Sequence, residues 1–171
     1  MDTFECIRKK RDIRTYREEE IPLPVLLKIL DAGRLSGSAM NKQPWNFVLI
    51  RDKEQLKKIA HLSPTGPYIE NAAAAIAIAT DQSNPYHGID CGRCVQNMML
   101  SAWNEGVGSC WVSGIDRKEI SNMLDLPSDQ YLFAIIPMGY PEQFSVKGKK
   151  TRRGILEVAY SEKFGSAIKM T

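Results

Sequence analysis

The feature that most constrains this chain is an apolar run, Tyr131 to Met138, closed by Gly139-Tyr140-Pro141. A run apolar on both faces and ended by turn residues predicts a strand in the middle of a covered sheet. A second run, Ala72 to Thr80, is helical by alanine propensity alone. The alternation of Ile76 and Ile78, the break at residues 67–71 and the following Asp81 favour a buried strand from Ala75 onward.

Around these two strands the pattern alternates. Thr3 is read as the cap of a first helix through about Lys10. A second helix starts at Pro24, sets Leu26, Leu27, Leu30 and Ala32 on one face, and stops at Gly33. A strand from Phe47 to Arg51, a helix from Lys53 to His61 and a loop from Ser63 to Tyr68 follow. A long helix from Gly88 to Glu105 carries a broad apolar arc of Val95, Met98, Met99, Ala102 and Trp103, wider than one small sheet needs, which predicts a homodimer interface built on it. Ser109 to Val112 reads as a strand, Lys118 to Leu126 as a short helix, and Ile155 to Tyr160 as an edge strand or an arm reaching a partner subunit. This is a mixed α and β pattern in one domain, residues 1–171.

Composition narrows the function classes. The chain has 171 residues, 43% of them hydrophobic, and a net charge of +3. That balance suits anionic small molecules and falls short of a dedicated nucleic-acid binder. The longest apolar run, Ala72 to Ala79, is too short to span a bilayer, and the N-terminus has no apolar leader, so the expectation is a cytoplasmic protein with no membrane partner. Cys6, Cys91, Cys94 and Cys110 are expected as reduced thiols. His87, Cys91 and Cys94 share helical spacing, but no fourth ligand accompanies them and thiols in apolar helices usually pack, so no metal is expected.

Three segments carry chemistry. Ser36 to Phe47 is a loop in which Ser38, Asn41 and Gln43 offer donors and acceptors without charge, which suits the edge of a flat heteroaromatic ring. Pro44 should bias Gln43 towards an extended backbone. The plainer alternative is a helix-to-strand connector with a buried Trp45. Lys10-Arg11-Asp12-Ile13-Arg14 is a basic run that either binds a dianionic phosphate or ends a helix in solvent. Asp12 cannot donate to phosphate and is expected to pair with Arg14 or cap a backbone N–H. Lys149, Lys150, Arg152 and Arg153 form a second basic cluster or a flexible tail. With two histidines and no paired carboxylates, no catalytic side chain is discernible.

The loop resembles the Pro-Ser-x-x-Asn-x-Gln-Pro-Trp segment of the FMN-dependent nitroreductase family, with Gly37 in place of the usual proline. Residues 10–14 resemble its Arg-Arg-Ser-x-Arg phosphate segment, with Asp12 for serine. Residues 106–114 resemble its Gly-Leu-Gly-Ser-x-Trp-x-Gly segment beside the flavin, and Lys150 with Arg152 its C-terminal Lys-x-Arg. The resemblance implies an α+β fold with a mostly antiparallel central sheet flanked by helices, in an intertwined homodimer. It implies FMN held by Lys10, Arg11, Asp12, Arg14, Gly37, Ser38, Asn41, Gln43, Trp111, Ser113, Gly114, Lys150 and Arg152. It further implies NADH or NADPH as reductant and a small electron acceptor of nitroaromatic or quinone type, with the flavin carrying the hydride. A flavin-binding protein, or dehalogenation or flavin-consuming synthesis on the same fold, is the alternative. The short stretch between Asp81 and Gly88 leaves no room for the lid those activities need.

Overall fold

The computed structural model describes residues 1–142 and 150–169. Its centre is a four-stranded antiparallel sheet in the order β1 (Trp45–Ile50), β2 (Ala74–Asp81), β4 (Gln130–Gly139) and β3 (Gly108–Ser109). β2 and β4 are the two apolar runs, and they lie side by side, Ala74 opposite Met138 and Asp81 opposite Gln130. β1 pairs with the outer side of β2 from Trp45 opposite Thr80 to Ile50 opposite Ala75. β2 from Ala74 to Thr80 and β4 from Ala134 to Gly139 are sealed from water on each face, as a strand without polar alternation requires.

Helices cover the sheet. On one face α2 (Leu23–Arg34) and α4 (His87–Asn104) pack against Ile76, Ile78, Ala134 and Ile136. On the other, α3 (Lys53–His61), the 3₁₀ turn Pro67–Asn71 and α5 (Arg117–Met123) cover Ala75, Ala77 and Ile135. α1 (Thr3–Lys9) is tied to α4 by the Cys6 thiol, which donates to the Leu100 carbonyl at 3.3 Å. Three helices start alike: the side chains of Asp2, Asp52 and Asp116 accept from the N–H of Glu5, Gln55 and Glu119, closing an otherwise open first turn.

Several expectations change. Asp2, not Thr3, caps α1, because a carboxylate is placed to take the free N–H of Glu5. In α2 the buried face is Leu26, Ile29 and Gly33, while Leu27 lies 54% exposed. Gly33 does not stop the helix. It lets α4 approach, since a Cβ there would lie 2.7 Å from Met98 Cγ. Of the expected arc, Val95, Met98, Met99 and Ala102 lie in the chain's own core between α2 and the sheet, while Trp103 is half-buried against Ile13, Tyr16 and Ala72 and Ile89 stands exposed. The strand expected over 109–112 shrinks to β3 and a single bridge from Val112 to Ile135, because Cys110 and Trp111 turn their side chains into packing with Tyr68 and Phe133. The loop at 63–68 runs into the 3₁₀ turn at Pro67–Asn71. Residues 155–157 form another 3₁₀ turn, not an edge strand, and Ile155, Leu156 and Phe164 stand exposed.

Candidate functional site

The basic run lies at the end of the sheet where β4 finishes. Ile13 N–H donates to the Ser109 carbonyl at 3.0 Å, and Asp12 bridges Ser109 in parallel. Gly108 makes this possible: a Cβ there would sit 2.6 Å from Ile13 Cβ, so any larger residue would push the basic segment off the sheet. Tyr16 pins the far side, its buried hydroxyl donating to the Ile13 carbonyl at 2.8 Å.

Into the same corner comes Lys150. Its ammonium donates to the Ile7 carbonyl at 2.7 Å, although 143 residues separate the two. Burial, then the nearby charges of Arg152, Arg11 and Lys10, push the Lys150 ammonium below the ordinary lysine range against a smaller pull from Asp12. A lysine crowded by like charges in this way gains when an anion arrives. Arg11 also serves the helix end, one guanidinium nitrogen donating to the carbonyls of Arg8, Lys9 and Lys10. The helix-ending role expected as one reading of the run is therefore realised by Arg11. Asp12 pairs with Lys10 rather than Arg14. The pairing follows from geometry, since the Arg14 guanidinium lies over the Tyr68 ring, 5.8 Å from its centroid. Lys149 lies outside the described residues, and Arg153 is exposed.

Residues 111–114 run back along the edge of β4. Trp111 is half-buried and edge-on to Phe133, with centroids 5.4 Å apart. Ser113 is exposed, and its carbonyl accepts from Arg117 at 3.0 Å. The Gly114 carbonyl accepts from the Thr65 hydroxyl at 3.2 Å, and a Cβ on Gly114 would meet that oxygen at 2.4 Å. The Tyr68 hydroxyl donates to Cys110 Sγ at 3.2 Å; burial and this bond push the phenol up to about 12. Ser109 Oγ is buried with no hydrogen-bond partner among the described residues. Thr65, Tyr68 and Arg117 belong to this neighbourhood, and no motif marked them.

The amide loop sits at the opposite end of the sheet, where Trp45 faces Thr80. Gln43 departs from the extended backbone expected before Pro44: its φ is 47°, and Met40 and Asn41 are left-handed too, at 51° and 54°. The reason is local hydrogen bonding. Gln43 N–H donates to Ser38 Oγ at 2.9 Å and its side-chain amide to the Asn41 carbonyl at 3.3 Å, which curls the loop onto itself. The side chains of Asn41 and Gln43 are exposed, and nothing lies within 4 Å of where a Cβ on Gly37 would be. β4 spans ten residues between the two ends, about 30 Å at ~3.3 Å per residue. One chain thus holds the amide loop and the cationic corner apart. Cys91 and Cys94 are fully buried, and among the described residues no group of three or more side chains is placed to hold a metal.

An antiparallel sheet covered by helices thus carries a cationic corner at one end and an uncharged amide loop at the other. The nitroreductase family model matches residues 7–66 and 62–140. A Methanothermobacter thermautotrophicus protein, provisionally named NADH dehydrogenase/NAD(P)H nitroreductase, is 36% identical over 152 residues, 84% of this chain and 79% of that one. The chain belongs to the nitroreductase family. An FMN-dependent nitroreductase from Clostridium difficile superposes with a TM-score of 0.86 at 26% identity, covering 95% of this chain and 100% of that one. A provisionally named nitroreductase from Desulfovibrio desulfuricans, solved in complex with FMN, superposes with a TM-score of 0.84 at 28% identity, covering 96% and 99%. No helix among the described residues is long and apolar enough to cross a membrane.

Proposed function

We propose that this chain is an FMN-dependent oxidoreductase that uses NADH or NADPH to reduce a small nitroaromatic or quinone-type acceptor, and that it works as a homodimer. The observation that carries the reading is that Lys150, donating to the Ile7 carbonyl at 2.7 Å, lies at the basic run although it is distant in sequence, and that burial with the nearby charges of Arg152, Arg11 and Lys10 lowers its ammonium. Such a corner favours a dianion able to accept charge-assisted bonds from several sides. The donor set therefore fits the FMN phosphate, and the buried Ser109 hydroxyl beside Asp12, without a hydrogen-bond partner among the described residues, adds an uncharged donor.

In this reading Lys10, Arg11, Lys150 and Arg152 hold the phosphate, and Asp12 fixes the Lys10 ammonium. Arg14, Trp111, Ser113 and Gly114 form the wall along the ring, braced by Thr65 and Arg117. Gly37, Ser38, Asn41 and Gln43 meet the ring edge from a second copy of the chain, because the span along β4 is longer than FMN itself. Bound FMN supplies the hydride acceptor and donor. The protein supplies position, charge balance and an open face, since the connection from β2 to α4 is too short to form a lid.

The test is optical. Purified protein should be yellow, or take up added FMN, and should bleach under anaerobic NADH or NADPH and recover its colour when a quinone is added. A yellow protein that neither nucleotide bleaches would be a flavin carrier; a colourless one that takes up no FMN refutes the proposal.

A further inference from the structure

We infer that Asp90, in the first turn of α4, is the positioning residue that holds the amide loop in its reading conformation; this rests on the flavin reading of that loop. Asp90 is only 1% exposed. Both of its carboxylate oxygens lie within hydrogen-bond distance of one loop donor, the Ala39 N–H, at 3.1 and 3.3 Å. Among the described residues its ion-pair partner is Arg93, 3.8 Å away with its side chain 59% exposed, a poor partner for a buried charge. A carboxylate hidden from water is costly unless hydrogen bonds and opposite charge balance it. The positive end of α4 supplies part of that balance and the Ala39 N–H supplies the directed bond.

The loop needs such an anchor. Met40, Asn41 and Gln43 all have positive φ, a region that asparagine tolerates and that methionine and glutamine adopt only under constraint. Gln43 also precedes a proline, whose ring favours an extended neighbour. The Ser38–Gln43 bond closes the curl from inside. It cannot fix the curl to the rest of the molecule. Asn97, two turns further along α4, donates to Ser36 Oγ at 2.8 Å and tethers the loop's entry, while Asp90 tethers the residue directly before the strained segment. With the Ala39 bond lost, the exposed amides of Asn41 and Gln43 would no longer be held ready for the ring edge.

Asp90→Ala and the near-isosteric Asp90→Asn, each made in the full chain, separate this role from a general packing one. In apoprotein, hydrogen exchange at residues 39–43 should quicken by about tenfold or more in Asp90→Ala, with protection of the β2 amides unchanged. FMN should bind about tenfold more weakly, and the visible circular dichroism of the bound flavin should change shape. Asp90→Asn, which keeps an acceptor oxygen, should fall between Asp90→Ala and wild type on each measure. Unchanged loop exchange, or exchange that rises equally in β2, would overturn the inference. If wild-type protein takes up no FMN, the flavin reading fails and the inference with it; if wild type binds FMN and the Asp90 variants bind it as tightly, only the inference fails.

Discussion

Lys150 stands where two demands on one side chain meet. Its ammonium satisfies the Ile7 carbonyl at the end of α1 and at the same time crowds Arg152, Arg11 and Lys10. The folded-state value is lowered, so the folded chain gives up this proton at a lower pH than the unfolded chain. Below that point the crowded ammonium works against folding, and stability recovers as pH rises through the window. Anion binding runs the other way: only the protonated form attracts a phosphate, so FMN affinity should fall on the alkaline side before ordinary lysines titrate. The fall should approach the loss of one charge-assisted bond, about 1.5–3 kcal/mol. Titrating FMN affinity against pH for wild type and for Lys150→Arg checks this, because the arginine stays charged and should flatten the decline. At this scale the sequence conveyed residue type and charge, but not which partner each charge meets. Asp12 reached Lys10 because Arg14 was drawn over Tyr68.

At the scale of elements, α4 is the clearest case of a face whose use its own sequence leaves open. Val95, Met98, Met99 and Ala102 form a broad apolar arc, and apolarity requires only that something cover it. α2 does so, because Gly33 removes the side chain that would hold the two helices apart. Met98→Lys should therefore act on folding before it acts on assembly. A lysine at a site with no exposure and no partner carboxylate should cost on the order of 3–5 kcal/mol, seen as a lower urea midpoint in apoprotein. A Met98→Lys chain as stable as wild type, and altered only in oligomeric state, would restore the interface reading of this helix. The helix boundaries followed the sequence more closely, α3 spanning Lys53–His61 as expected.

At the scale of the whole molecule, the two halves of the proposed site occupy opposite ends of the sheet, Trp45 facing Thr80 at one and Ser109 facing Met138 at the other. Two copies would bring the cationic corner of one to the amide loop of the other. A complementation experiment follows. Arg11→Ala with Arg152→Ala in one chain should abolish most FMN uptake, and so should Ser38→Ala with Asn41→Ala and Gln43→Ala in the other. Unfolded together and refolded, the two variants should recover flavin to at most one site per mixed dimer, because that dimer contains one intact corner facing one intact loop. No recovery, with mixed dimers present, would mean that each chain builds its site alone.

The buried strands, most helix limits and the residue types of the proposed site were legible in the amino-acid order, because these depend on periodicity, capping and charge, which are local. The basic run, the amide loop and the glycine segment at 106–114 were legible as motifs for the same reason. Packing in three dimensions is what sets Lys150 near Arg11 and Arg152, turns the Gln43 backbone left-handed, and brings Asp90 and Tyr68 beside these segments. Each of those facts depends on a hydrogen bond, a close approach or a crowding of charge between residues distant in the chain. Such contacts follow from how the sheet and its helices pack, and no periodicity in the sequence records them.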